Sequence, residues 1–182
     1  MDLTAEEKAE LLQIARSTLE HILAKEEPPE FVPKSERLRE KRGVFVTLTN
    51  QGRLRGCIGH FAADTPLYQI VSQMAIAAAT QDYRFYYNPV TLKELAQIRI
   101  EISILSPMKR VMDVNQIRMG VDGIYIKQGA QAGTFLPQVA TETGWSRDEF
   151  LSHCCQDKAG LPPGCWKKGA EIYTYTATVF HE

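Results

Sequence analysis

No stretch of this chain comes near the roughly 18 consecutive apolar residues that a membrane-spanning helix requires, so no membrane span is expected. The opening residues Met1-Asp2-Leu3-Thr4-Ala5-Glu6-Glu7 are acidic, not basic and then apolar, and do not read as a secretory leader. Excess charge of one sign is also missing. With 21 basic and 22 acidic residues the net charge is −1, which gives no general attraction for phosphate backbones or anionic lipid. The only basic clusters are Lys34 to Arg42, diluted by Glu36 and Glu40, and Lys167-Lys168, so nucleic-acid binding is not expected. Cysteine is sparse. The four residues stand at 57, 154, 155 and 165 with no Cys-x-x-Cys pair, which predicts reduced thiols in a cytosolic protein.

The usual signatures of large enzyme classes are absent too. There is no Gly-x-Ser-x-Gly elbow, no His-Glu-x-x-His, no dinucleotide fingerprint and no three-cysteine cluster. Gly129-Ala130-Gln131-Ala132-Gly133 resembles a phosphate loop only in glycine content, lacks the Gly-Lys-Ser/Thr ending, and reads as a turn. No cofactor is indicated. A chain that is 44% hydrophobic and 24% charged can still bury a sizeable core, and 182 residues suit one domain.

What is present is a series of well-punctuated elements. Thr4 and Glu7 form a capping box at the head of a helix running to about Ala24, with Leu11, Ala15, Leu19, Ile22 and Leu23 as its apolar stripe. Residues 25–42, dense in charge and holding Pro28, Pro29 and Pro33, read as an exposed connector. Alternation over Val44 to Thr49, a turn at Asn50-Gln51-Gly52 and a return over Arg53 to Gly59 predict a hairpin. Thr65 as N-cap and Pro66 at the first helical position predict a second helix with Leu67, Ile70, Val71, Met74 and Ala78 buried, running towards Asp82. A short helix over 91–96 is expected before a strand carrying Ile98, Ile100, Ile102 and Ile104 on one face. A second hairpin is expected at 124–136, then a brief helix over 137–143. Ser146 and Glu149 cap a last helix that Gly160 ends, and Tyr173 to Val179 read as a final strand. Hairpins with interspersed helices predict an α+β fold, mostly antiparallel sheet with flanking helices.

The candidate chemistry lies in Arg53-Leu54-Arg55-Gly56-Cys57-Ile58-Gly59-His60. Gly56 and Gly59 flank Cys57 near a strand end and permit close backbone approach. Unbroken alternation would put Arg53, Arg55 and Cys57 on one face, where two guanidinium groups favour a thiolate able to act as nucleophile, redox centre or ligand. The plain alternative is a small buried residue at a bend. Cys57-x-x-His60 could supply two metal ligands, with His153, Cys154, Cys155 and Cys165 as the only other half. Core packing explains that second group better, because Cys154 and Cys155 follow Phe150 and Leu151 on an apolar helix face, and no metal is assigned. Asp82 and Arg84, beside Tyr83, Phe85, Tyr86 and Tyr87, either clamp an anionic or planar ligand or form an ion pair that fastens a loop.

Leu54-Arg55-Gly56-Cys57-Ile58-Gly59 resembles the six-residue signature of the AMMECR family. Asp82-x-Arg84-Phe85, the run from Glu101 to Pro107, the run from Gly133 to Ala140 and the run from Lys158 to Pro162 resemble further family blocks in family order. The resemblance covers nearly the whole chain. It implies an α+β fold of two unequal lobes with the signature near the cleft between them, and an intracellular protein. It also implies partners. Prokaryotic members are encoded beside a Memo-like protein and a radical SAM protein (the AmmeMemoRadiSam system), sometimes fused to the Memo-like part. The family has no settled activity. His60 stands where a small hydroxyl residue is more usual, and Tyr86-Tyr87-Asn88-Pro89 is more aromatic than the usual continuation.

Two functional expectations follow. In one, Cys57 is a thiolate tuned by Arg53 or Arg55, with His60 as acid or base and Arg84 placing an anionic substrate. In the other, the chain is a binding or adaptor module for those partners, with Gly56 and Gly59 allowing a ligand to approach closely.

Overall fold

The computed structural model describes residues 3–61 and 64–182. The chain divides into two compact units, Met1–Leu105 with Thr178–Glu182, and Ser106–Ala177. Each has its own sheet and core, and together they make an α+β fold of antiparallel sheets with flanking helices.

The first unit opens with α1 (Ala5–Leu23). Its capping box forms as expected: the Glu7 N–H donates to Thr4 Oγ1 at 3.2 Å and the Thr4 N–H donates to the Glu7 carboxylate at 2.8 Å. Leu11, Ile14, Ala15 and Leu19 are buried. Residues 25–42 run mostly exposed, but a 3₁₀ turn at Glu36–Arg39 drops Leu38 into the core. A single leucine among charges has no periodicity to betray it.

β1 (Val44–Asn50) and β2 (Arg53–His60) pair as the expected hairpin, and β1 also pairs antiparallel with β3 (Ile98–Leu105). With β8 (Ala177–His181) the order is β2-β1-β3-β8, leaving β2 at an edge. Val44, Val46 and Leu48 share the buried face with Ile100, Ile102 and Ile104, against α1 and α2 (Leu67–Thr80). α2 begins one residue later than expected: Pro66, with extended ψ, is itself the N-cap, and among the described residues no side chain caps the helix. The helix stops at Thr80, short of Asp82, and the expected helix over 91–96 is reduced to a 3₁₀ turn at Leu95–Gln97.

The second unit holds a sheet of order β4-β7-β5-β6, formed by β4 (Lys109–Arg110), β5 (Gly123–Gln128), β6 (Gln131–Phe135) and β7 (Glu171–Tyr175). The β5–β6 turn is tighter than expected. Gln128 pairs with Gln131 across Gly129-Ala130, and Gly129 takes the left-handed conformation at φ 62°. α3 (Pro137–Thr143) ends at Gly144, and the Ser146–Glu149 capping box starts α4 (Arg147–His153). The chain then widens into a π-helical turn at Cys154–Lys158.

Two expectations are overturned here. The cysteines are not all free thiols, because Cys155 is disulfide-bonded to Cys165, ten positions away, while Cys57 and Cys154 stay free. The π turn and the reversal at Gly160 bring back a cysteine whose sequence spacing matches no disulfide framework. The single final strand is two. Thr176 exchanges hydrogen bonds with Ser106, which separates β7 from β8, and the two strands join different sheets.

Candidate functional site

The glycines of the signature are dictated by close approach. A Cβ at Gly56 would stand 1.9 Å from the Ala78 carbonyl oxygen of α2, so only glycine lets helix and edge strand pack at this distance. A Cβ at Gly59 would meet the Phe45 ring at 2.3 Å, because the ring lies over its directly paired glycine.

Between them, Cys57 is half-buried and lies opposite Thr47, which in turn lies opposite Glu101. Directly paired residues share a face, so Cys57, Thr47 and Glu101 form a row across the sheet face opposite the one that α1 and α2 cover. The Thr47 hydroxyl donates to Cys57 Sγ at 3.2 Å. Beside this row is a shallow depression of about 310 Å³ lined by Thr47, Thr49, Arg99, Glu101 and His181.

The outward edge of β2 at Cys57 is occupied by Asp82 and Arg84. The Cys57 N–H donates to the Asp82 carboxylate at 2.9 Å, and the Cys57 carbonyl accepts from Arg84 Nη2 at 3.3 Å. Asp82 also accepts from the Arg84 guanidinium at 2.6 and 2.9 Å and from the Arg84 N–H at 3.1 Å. The loop thereby satisfies the edge peptide in place of a neighbouring strand. The Arg84 bonds, over the opposing effect of burial, hold the Asp82 carboxyl down at about 2, and the same bonds raise Arg84 further above its ordinary range.

Arg55 faces elsewhere. The β1–β2 register passes from Leu48 opposite Gly56 to Thr49 opposite Leu54, so Arg55 is the extra residue of a β-bulge. Its guanidinium takes both Glu94 oxygens at 2.8 and 3.0 Å and donates to the Asn88 and Pro89 carbonyls at 3.1 and 3.2 Å. The side chain is only 12% exposed. The Arg55 bonds, against burial and helped by the Thr91 N–H and the Asn50 amide, lower Glu94 to about 2.

The bulge overturns the expectation that Arg53, Arg55 and Cys57 share one face, since one extra residue reverses the phase of alternation behind it. Arg53 pairs with Asn50 and Cys57 with Thr47, residues three apart on β1 and so on opposite faces. His60 pairs with Val44 and is likewise on the face opposite Cys57, exposed. The signature therefore joins Cys57 to Asp82 and Arg84 through its backbone, and to neither Arg53 nor His60.

Thr47, Asn50 and Glu94 were not singled out in the sequence. Thr47 follows from hairpin register once the turn is placed, whereas nothing local in Thr91-Leu92-Lys93-Glu94 marks Glu94 as the partner of Arg55. Among the described residues no group of three or more His, Cys, Asp or Glu could hold a metal ion. Cys154 is fully buried and burial pushes its thiol up to about 12, which makes it a packing residue.

The comparisons agree with this architecture. The AMMECR1 family model matches residues 12–180. A protein of Methanopyrus kandleri is 44% identical over 191 aligned positions, covering 99% of this chain and 90% of its own length. One of Pyrococcus furiosus is 40% identical, covering 94% and 86%. The crystal structure of an uncharacterized protein from Pyrococcus horikoshii superposes with a TM-score of 0.88 at 36% identity, covering 99% of this chain and 93% of that one. The chain belongs to the AMMECR1 family.

Proposed function

We propose that this chain is a cytoplasmic binding module, working with a Memo-like and a radical SAM protein, that holds a small ligand on the sheet face around Cys57. One observation carries this reading: the guanidinium groups near Cys57 already bond carboxylates, and the sulfur itself bonds a neutral hydroxyl. Arg55 is bonded to both Glu94 oxygens and two backbone carbonyls, and Arg84 is bonded to the Asp82 carboxylate. The sulfur's bonded neighbour is a neutral hydroxyl, which can accept or donate to a ligand but cannot serve as a base at neutral pH. A half-buried cysteine next to Thr47 and a depression lined by Thr49, Arg99 and Glu101 is suited to recognition.

Co-expression with tagged Memo-like and radical SAM proteins tests the partner assignment. Stoichiometric co-purification that survives Cys57→Ser supports a module, and a complete lack of association removes the partner reading. A thiol-dependent activity is the second reading, favoured by the partial exposure of Cys57. It requires that Cys57→Ser abolish function while leaving the fold intact.

A further inference from the structure

The loop that braces Cys57 also carries a concentration of exposed aromatic surface. Tyr83, Tyr86 and Tyr87 are 83%, 74% and 97% exposed, and Leu92 is 51% exposed. Exposed large side chains elsewhere among the described residues are more scattered, and single ones are ordinary on protein surfaces.

This loop is held at both ends. Asp82 and Arg84 tie its start to Cys57, Arg55 grips the Asn88 and Pro89 carbonyls, and Glu94 accepts from the Thr91 N–H at 3.0 Å. Val90 is buried, and its N–H donates to the Ala79 carbonyl at 3.3 Å. Tyr86 and Tyr87 stand edge to face, ring centres 5.3 Å apart. Tyrosines on a backbone tied at both ends present an apolar face with a polar tip, the composition that dominates binding hot spots.

The charge of the patch selects its partner. Asp82 and Glu94 are neutralised by Arg84 and Arg55, while Arg53 and Lys93, at the Glu94 end, have no ion-pair partner among the described residues. The surplus is positive. Two free cations are too few to track a nucleic-acid backbone, and the chain as a whole is slightly acidic. They do suit a short acidic segment whose apolar side chains lie on the tyrosines.

We propose that residues 82–94, with Arg53, form a docking surface for an acidic, apolar-bearing segment of a protein partner. The surface is distinct from the ligand face at Cys57 and does not depend on that ligand reading. The probes are a fluorescein-labelled 12-residue peptide alternating Glu with Leu and Pro, its Lys counterpart, and a 12-nucleotide oligothymidylate, each titrated into the full chain while backbone amide shifts are followed. The acidic peptide should bind saturably and shift amides of 82–94. Tyr86→Ser with Tyr87→Ser should weaken it at least tenfold, and Lys93→Glu several-fold, whereas Cys57→Ser should leave it unchanged. These side chains are exposed, so melting temperature should stay within a degree or two and a lost fold is readily told from lost binding. Equal binding of the Lys peptide, preference for the oligonucleotide, shifts elsewhere, or no saturation at millimolar peptide would overturn the proposal. A dimer of the chain itself that the tyrosine variants dissolve would assign the patch to a second copy and also overturn it.

Discussion

At the scale of single residues, Gly56 and Asp82 explain more of the signature than Cys57 does. The strand–helix distance at Gly56 has no room for a methyl group, since the obstructing atom is a backbone oxygen of Ala78 and not a flexible side chain. Gly56→Ala should cost about 3 kcal/mol or more, because a segment of backbone must shift. Urea unfolding would read this as a lower midpoint, and an unchanged midpoint would mean that α2 and β2 are not packed as described. Asp82 and Glu94 are both held near 2, against ordinary values of 3.8 and 4.5. Their folded values are depressed, so the stability they contribute is fully present above the unfolded values and is lost as pH falls from about 5 towards 2. Asp82 contributes on the order of 2 kcal/mol and Glu94 on the order of 3 kcal/mol. Thermal unfolding followed over that window should show a steep acid limb, which Arg55→Met should flatten by removing the cause of the Glu94 depression.

At the scale of elements, the capping boxes and the register of a buried face were legible, and breaks in regularity were not. α1, α4 and the β1–β2 hairpin follow from side chains within a few positions of one another. The Arg55 bulge, the π turn and the split of the last strand at Thr176 depend on partners far along the chain: Glu94 for Arg55, Cys165 for Cys155 and Ser106 for Thr176. The bulge mattered most, because one inserted residue reverses which face every later side chain takes, and that turned Arg53 away from Cys57. The disulfide joins the π turn at Cys154–Lys158 to the short 3₁₀ turn at Cys165–Lys167, with Gly160 and two prolines between. Reducing it should lower stability by about 2–3 kcal/mol, the range for a loop this short. Melting curves with and without reductant measure this, and Cys155→Ala with Cys165→Ala should abolish the difference between them.

At the scale of the whole molecule, the chain builds one unit, then the second, and returns at its end to finish the first. β8 lies beside β3, Phe180 is buried in the first core, and Glu182 is held by the Arg16 guanidinium and the Ile100 N–H. Removing Thr178–Glu182 should therefore strip hydrogen-exchange protection from β3 while leaving β5 and β7 protected. Equal loss in both sheets would contradict two separately packed cores. The α+β class was legible at this scale from the succession of hairpins and helices. The candidate site was legible only as a segment, since the cause of its chemistry, namely which group each arginine faces, is a property of the folded chain.

We propose that Cys57 sits in a recognition site and is not an activated nucleophile, because Arg55 and Arg84 are paired with Glu94 and Asp82. The most direct test is the rate of iodoacetamide alkylation of Cys57 in the folded protein at pH 7, followed by peptide mass spectrometry against a free model thiol. Cys57 should react no faster than the model thiol. A rate tenfold or more above it, lost in Arg84→Met or Arg55→Met, would instead show an arginine-activated thiolate and rule out a purely binding role for Cys57.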